Sequence, residues 1–524
     1  MSKKPKTGTE TTEWPFLKGN RPYFRIAAVC LVLYALTLGY GFSPMDEQWV
    51  ILKNKEAMSS FSHIPGLFTS ATLDMYYRPV WTSSFVLDML AGQGSPLPFH
   101  LTNVLIHLAC SLLVFRFFSL LGLSRFAAFT SALVFVVHPV NIHAVAWIPG
   151  RNDSLLALFT LLSCISLILY VKNRSRLRLG AHLLFFLLAL LTKENAVVLP
   201  FIFATILFTL HEKQQLKKFL PLGLAWLLLA TGWFVLRMNI IDYLPPVSAA
   251  ATGEGITGFL SALVLHTGKT LLPVGQSVMP VMSDSLSWPF LIVTILAGAA
   301  AFRFGVYNRK LCLLGLCWFY ALILIPAWFG TTSANGEHYE HRVYTSLIGV
   351  LLFITQIRIP APKIIVQRLA FALVLVFAVK TFSRLPVYKN EISFAVAGAE
   401  ESPSVSFFHS MLGNHFQQEG LHEKALPYLN EAIRLNPQRP ELYNNRSYAY
   451  FMLRDYHRAE EDASRTLELK KDQPQTYVTR SISRYYLKNY TGAKNDLEEA
   501  RRLNAAIDPA FERALNKALL QGKN

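Results

Sequence analysis

Eleven stretches of this 524-residue chain are apolar for long enough to cross a bilayer, and that feature decides most of what the chain can become. A helix needs about 20 apolar residues to span the hydrocarbon, or somewhat fewer at short hairpins, and in lipid only a helix or a closed barrel satisfies its own backbone groups. The stretches fall near 24–42, 101–120, 126–147, 154–171, 179–193, 195–210, 218–237, 288–303, 311–328, 343–357 and 366–382. Composition agrees: 52% of the residues are hydrophobic and 16% are charged, against roughly 25% charged in soluble chains. The sequence therefore predicts an all-α fold, a polytopic helical membrane bundle over 24–383 behind an N-terminal tail, 1–23. Almost every soluble-enzyme class is excluded.

The net charge is +17, from 50 Lys and Arg against 33 Asp and Glu. In a soluble chain that excess would point to nucleic acid. Here it follows from topology, because basic residues gather in cytoplasmic loops, and nucleic acid is not an expected partner. Lys172 to Arg178, Lys213 to Lys218, Arg303 to Lys310 and Arg358 to Arg368 are basic connections. With the N-terminus inside, all four fall on the cytoplasmic side. The alternation holds only if the apolar segment 258–285, interrupted by Pro273, Gly275 and Pro280, does not cross, so it is expected as a re-entrant or interfacial element outside. The first stretch follows Lys3, Lys4, Lys6, Lys18, Arg21 and Arg25 and reads as a retained signal-anchor. Cys30, Cys110, Cys164, Cys312 and Cys317 lie in or beside apolar runs, so no disulfide framework is expected.

After 383 the character changes. Ala425, Ala459 and Ala493 recur at intervals of 34 residues, as do Tyr443 and Tyr477. Leu412-Gly413, Phe416, Ala432 and Pro437 stand at the offsets of a tetratricopeptide repeat, where small residues let two helices approach closely. About three repeats fill 406–505, after a linker, 384–405, and before a capping helix, 506–524. The expected form is an α-solenoid with a concave peptide-binding groove; a stability or dimerisation appendage is the plainer alternative.

Polar residues collect on the side opposite the basic loops. Asp46-Glu47 stands at the head of the long loop 43–98. Two carboxylates there can supply a general base or bind a metal, or be ordinary solvated acids. Arg78, in Tyr76-Tyr77-Arg78-Pro79, can pair with a phosphate or anchor the loop. His100, Asn103 and His107 share one helix face and suit helix packing as well as a site. His138 and His143 flank a proline-broken turn before Arg151-Asn152-Asp153; they suit a cavity lining, while Arg151 and Asp153 suit an ion pair or a cap equally well. Lys193-Glu194 splits one apolar run and can mark nothing more than a hairpin tip. Glu337-His338-Tyr339-Glu340-His341-Arg342 packs five titratable residues before a span, and an Arg at that depth suits an anionic headgroup or a lipid phosphate. No phosphate-cradling loop, nucleophile elbow, zinc-protease motif or CxxC pair is present in the sequence.

In this order the motifs resemble the bacterial relatives of the transmembrane-and-tetratricopeptide-repeat (TMTC-like) proteins of the GT-C glycosyltransferase superfamily. The resemblance rests on Asp46-Glu47, Tyr77-Arg78-Pro79, Phe99-His100 through His107, His138 through Trp147 with Gly150-Arg151-Asn152-Asp153, Lys193-Glu194-Asn195, His341-Arg342-Val343-Tyr344 and the terminal repeats. It implies a GT-C-like bundle that moves a sugar from a polyprenyl-phosphate-linked donor to a protein hydroxyl on the exoplasmic face. The Asp-Glu order is similar to that of protein O-mannosyltransferases. Asp46 then takes the place of the base, with Glu47 beside it, and Arg342, Arg78, Arg151 and Lys193 are candidates for the donor phosphate. His100, His138, His143, Asp153, Glu194, His338 and His341 would line the cavity. The implied partners are the lipid-linked sugar, membrane lipids and an acceptor protein held by the repeats. The implied location is a bacterial inner membrane with periplasmic repeats. Some members of that superfamily use a divalent metal and others do not, so Asp46 and Glu47 as metal ligands stay open. The competing expectations are a non-catalytic scaffold and a ligase or polymerase of lipid-linked glycans.

Overall fold

The structure, a computed structural model, describes residues 14–43, 45–241, 253–285, 288–332 and 338–521. Lys3, Lys4, Lys6, Glu337 and the segment 242–252 lie outside the described residues. Within them the chain is helical, with two isolated bridge contacts, Thr72–Tyr76 and Val306–Ile357. It forms two compact units, Met1–Glu391 and Ile392–Asn524.

Six helices are long and apolar enough to cross a membrane: Arg21–Gly39, Leu97–Leu120, Ile148–Asn173, Gln214–Ile240, Arg309–Trp328 and Lys363–Tyr388. A seventh candidate is a broken pair, Arg125–Val137 and Pro139–Ala146, bent by 50°. The expectation of eleven is corrected to this. The remaining four are the shorter helices Arg176–Leu190, Glu194–Leu210, Trp288–Phe304 and Leu347–Gln356. The reason is geometric. A helix of 15 residues such as Arg176–Leu190 is about 22 Å long, less than the ~30 Å of the hydrocarbon. Counting apolar residues does not register that Lys193 turns to extended backbone (φ −159°, ψ 142°) inside the apolar run. At the broken pair, His138 is likewise extended (φ −68°, ψ 124°), and Pro139 has no N–H to continue the helix.

Side-chain contacts gather the basic connections at one end of this unit. Arg125 reaches the Leu17 and Gly19 carbonyls, Lys172 the Leu120 carbonyl, and Lys310 the His211 carbonyl. Arg174 lies over Phe219 and Arg358 over Tyr307. The opposite ends of the same helices carry the polar residues described below. Midway, Gly315 faces Gly349: a Cβ on either would come within 2.7 Å or less of the other's carbonyl oxygen. In a lipid-embedded bundle such small pairs let helices approach backbone to backbone.

In the second unit the helices Ser406–Gln418, His422–Leu435, Pro440–Met452, Tyr456–Leu469, Pro474–Tyr486 and Tyr490–Arg502 form three hairpins, each packed on the next. Period-34 residues do the same work, an alanine in all three hairpins and an arginine and a serine in the second and third. Ala425, Ala459 and Ala493 are fully buried. Ser447 and Ser481 donate to the Ala459 and Ala493 carbonyls at 2.7 Å, and Arg446 and Arg480 pair with Asp462 and Asp496 at 2.7 and 2.6 Å. The turns repeat too, with left-handed backbone at Gly420, Arg454 and Lys488. Helices also stand on either side of the repeats. Part of the expected linker is the helix Glu391–Glu401, whose Phe394 and Gly398 pack against Phe408. The last helix, Pro509–Gln521, seats Leu515 and Phe511 against Ala493 and Tyr485.

Candidate active site

The polar end of the first unit is assembled from segments far apart in sequence. Arg78, at the entrance of helix Pro79–Gly92, grips Glu194 through Nε (3.1 Å to both oxygens) and Nη2 (2.7 Å). The Lys193–Glu194 turn that shortens the helices also aims the neighbouring ammonium at Asp153, Nζ to Oδ2 2.6 Å, and at Asn152, 3.1 Å. Asp153 sits in the first turn of Arg151–Asn173, where the helix dipole favours an anion. His341 Nε2 stands 3.8 Å from the same carboxylate oxygen. The His341 ring packs on His143 at 4.5 Å and on Trp147 at 5.5 Å. Arg342, half-buried over the Tyr339 ring, acts electrostatically on Asp153, Lys193, His143 and His341. Arg78, Lys193 and Arg342 thus gather with Glu194 and Asp153 in one cluster.

The acidic loop is tied to this cluster through its second carboxylate. Glu47 is 1% exposed; its oxygens accept the backbone N–H of Ser43 and, at 3.1 Å, that of Ile148. Ile148 follows Trp147, which touches His341, so this clasp ties the Asp46–Glu47 turn to a segment that borders the cluster; Asp46 itself is half-buried. His100 Nε2 contacts the Gly41 carbonyl at 3.2 Å, and the Gly41 N–H donates to the Lys389 carbonyl at 3.0 Å. Burial pushes the Glu47 carboxyl up to about 8; the N–H groups of Ser43 and Ile148 pull it down, and the charge of Asp46 raises it. Among the described residues no group of three or more His, Cys, Asp or Glu side chains converges as a metal seat.

A second layer lies beside the first. Lys269 pairs with Glu340 at 2.8 Å, and Glu340 also accepts the Ser277 N–H at 3.2 Å. His266 and His338 face each other at 5.7 Å. Both ring nitrogens of His143 and of His338, Nδ1 of His341 and Nε2 of His266 are buried without a hydrogen-bond partner. Orphaned polar groups of this kind in one region are costly unless something else completes them.

Other expected residues do different work. Arg151 is fully buried and spent within the protein: it pairs with Asp88 at 2.5 Å, donates to Asn103 Oδ1 at 2.6 Å and to the Ser84 and Phe99 carbonyls at 3.0 and 2.8 Å. It locks helices Pro79–Gly92, Leu97–Leu120 and Arg151–Asn173 together, and no nitrogen is left to face a phosphate. His138 contacts the Thr270 carbonyl at 3.1 Å and stacks edge-on against Phe377, on the flank of the cluster. Asp88, Lys269 and His266 were not singled out from sequence. Each is an ionisable residue inside an apolar helix, and that was the available signal.

A tetratricopeptide-repeat family model matches residues 408–439. The chain is 26% identical over 393 residues to a protein O-mannosyl-transferase of Caenorhabditis elegans, covering 69% of this chain and 54% of that protein. It is 33% identical over 181 residues to protein O-mannosyl-transferase Tmtc1 of Drosophila melanogaster (33% and 21% covered) and 31% identical over 211 residues to TMTC2 of Mus musculus (37% and 25%). The chain thus spans about half the length of the first relative and a quarter or less of the other two.

Proposed function

We propose that this chain is a membrane glycosyltransferase of GT-C type that moves a sugar, mannose by similarity, from a polyprenyl-phosphate-linked donor to a protein hydroxyl. The observation that carries the reading is the Glu47 clasp, which ties the Asp46–Glu47 turn to the segment at Ile148 next to His341, together with the Arg78–Glu194 and Lys193–Asp153 pairs on which Arg342 acts. Breaking a sugar–phosphate bond builds negative charge on the departing phosphate, and fixed cations placed there stabilise that charge as it grows. Arg342 presents a planar fork suited to two phosphate oxygens. Lys193 and Arg78 are held rigid by Asp153 and Glu194 and add field without having to move. Asp46 accepts the proton of the acceptor hydroxyl as its oxygen attacks the anomeric carbon. The orphaned nitrogens of His143 and His341 supply hydrogen bonds for the hydroxyls of the sugar.

The basic end faces the cytoplasm and the reacting end the exoplasmic side, by the excess of Lys and Arg in the connecting loops. The repeats stack into a solenoid on that same side and hold the acceptor, raising its local concentration. The test is transfer of labelled mannose from polyprenyl-phosphate-mannose to exported protein in membranes carrying the chain. Transfer that needs Asp46 and Arg342 supports the reading. Full transfer by both Asp46→Asn and Arg342→Ala, at normal expression, refutes it.

A further inference from the structure

In the second unit, amide side chains reach from one hairpin to the next along a single face. The first helices of the three hairpins, Ser406–Gln418, Pro440–Met452 and Pro474–Tyr486, come closer to one another than the second helices do, so their shared face is the inner side of the stack. Asn445 Nδ2 donates to Asn414 Oδ1 at 2.7 Å, and Gln417 Nε2 donates to the Asn445 carbonyl at 2.6 Å. Thr476 Oγ1 donates to Asn444 Oδ1 at 2.6 Å. Each asparagine spends one end of its amide in these bridges and keeps the other. Nδ2 of Asn414 and of Asn444 are donors left over, and Oδ1 of Asn445 is an acceptor left over. The three side chains are half-buried, and their spare ends are open to solvent.

The charges on these helices are already matched. Glu441, Arg446, Arg480 and Arg484 pair with Arg439, Asp462, Asp496 and Glu460 in that order. A terminal carboxylate or a phosphate therefore has no uncommitted cation to meet on the first helices. Apolar surface adjoins the amides instead. Tyr448 and Met452, one and two turns beyond Asn444, are 44% and 45% exposed, and Tyr486, 34 residues after Met452, is 55% exposed. Alternating donors and acceptors beside neutral side chains match the N–H and C=O groups of an extended, uncharged segment.

We propose that this face binds an extended, uncharged stretch of polypeptide through its main chain. Asn414, Asn444 and Asn445 pair with successive peptide groups, while Tyr448, Met452 and Tyr486 cover the neighbouring side chains. As an acceptor groove it rests on the function proposed above, and it names the class of acceptor: unfolded segments of small neutral residues, read with little regard to their order. Crossing three helices about 10 Å apart takes about nine residues at ~3.3 Å each.

The experiment uses the full chain in nanodiscs and follows, by fluorescence anisotropy, binding of a labelled peptide of that length made of Ser, Thr and Ala. Three further probes share its length: a scrambled sequence, a version with alternate peptide nitrogens methylated, and a version with Asp at alternate positions. Wild type should bind the first two equally. It should bind the methylated peptide at least about five-fold more weakly, because main-chain donors are lost, and the Asp peptide more weakly too, because its charges go unmatched. Asn444→Ala/Asn445→Ala should weaken binding of the first peptide to a similar extent. Tyr448→Glu changes an exposed ring, so the fold is spared, and should weaken it as well. Lys424→Gln, on a second helix, should bind as wild type. No binding by wild type, equal binding of the methylated peptide, preference for the Asp peptide, or undiminished binding in both face variants overturns the proposal. A wild-type chain that binds these peptides yet transfers no sugar sinks the proposed function and leaves this site standing. Sugar transfer with an unchanged KM for the protein acceptor in both face variants does the reverse.

Discussion

Asp46 and Glu47 are neighbours with opposite assignments, and the difference lies in burial. Glu47 is 1% exposed and clasped by two backbone N–H groups, whereas Asp46 is half-buried. Asp46→Asn should reduce transfer by at least ~10²-fold while donor binding persists, because only proton acceptance is removed; rate and binding measured on one preparation check this. Glu47 predicts a pH effect of defined sign. Its carboxyl is raised by burial from the ordinary value to about 8, so the folded form holds its proton more tightly than the unfolded one. The resulting stabilisation is complete below the ordinary carboxylate range and is lost as pH rises toward 8. Melting temperature should fall across that window in wild type, and Glu47→Gln should flatten the slope; an identical slope in both would remove Glu47 as its source. Arg151 tests a structural role. Removing one partner of a buried ion pair costs about 3–5 kcal/mol, so Arg151→Ala should lower the melting temperature or yield of the bundle. Arg342→Ala should leave stability near wild type and impair transfer, with Arg342→Lys intermediate because it keeps charge and loses the fork.

At the level of elements, the features that shorten helices also build the site. The extended residues His138 and Lys193 each end a helix before it can span, and each delivers a polar side chain to the polar end. Their chemistry was legible in the sequence as charged or histidine–proline interruptions of apolar runs. Their effect on helix length was not, because hydropathy averages over a turn of two or three residues. Arg151 shows the complementary limit: an arginine inside an apolar run announces that it matters, but only the fold reveals Asp88 as its partner. The Gly315–Gly349 crossing was equally hidden, since neither glycine stands in a motif. Gly349→Leu should separate the two helices, with a loss of thermal stability of several degrees, while Gly298→Leu, which meets open space, should change little. The 34-residue period, by contrast, maps directly onto buried alanines and repeated Arg–Asp pairs. A short-range, self-repeating pattern needs no long-range partner to be read.

For the whole molecule, the chain is two units whose boundary falls near residue 391, and the polar and basic ends of the first unit are opposite. The proposed function asks the second unit for acceptor recognition only. A chain ending at Glu391 should retain donor hydrolysis or slow transfer to a short hydroxyl-bearing peptide and lose transfer to its natural protein; undiminished transfer to that protein would make the repeats dispensable. The central claim is that Asp46, next to the clasped Glu47, and the Arg78, Lys193 and Arg342 cations glycosylate exported protein, and glycoproteomics tests it most directly. Hexose on Ser and Thr of exported proteins should vanish when the chain is deleted, return with wild type, and fail to return with Asp46→Asn expressed at equal level in the membrane. An unchanged set of glycopeptides after deletion, or full restoration by Asp46→Asn, would contradict the account.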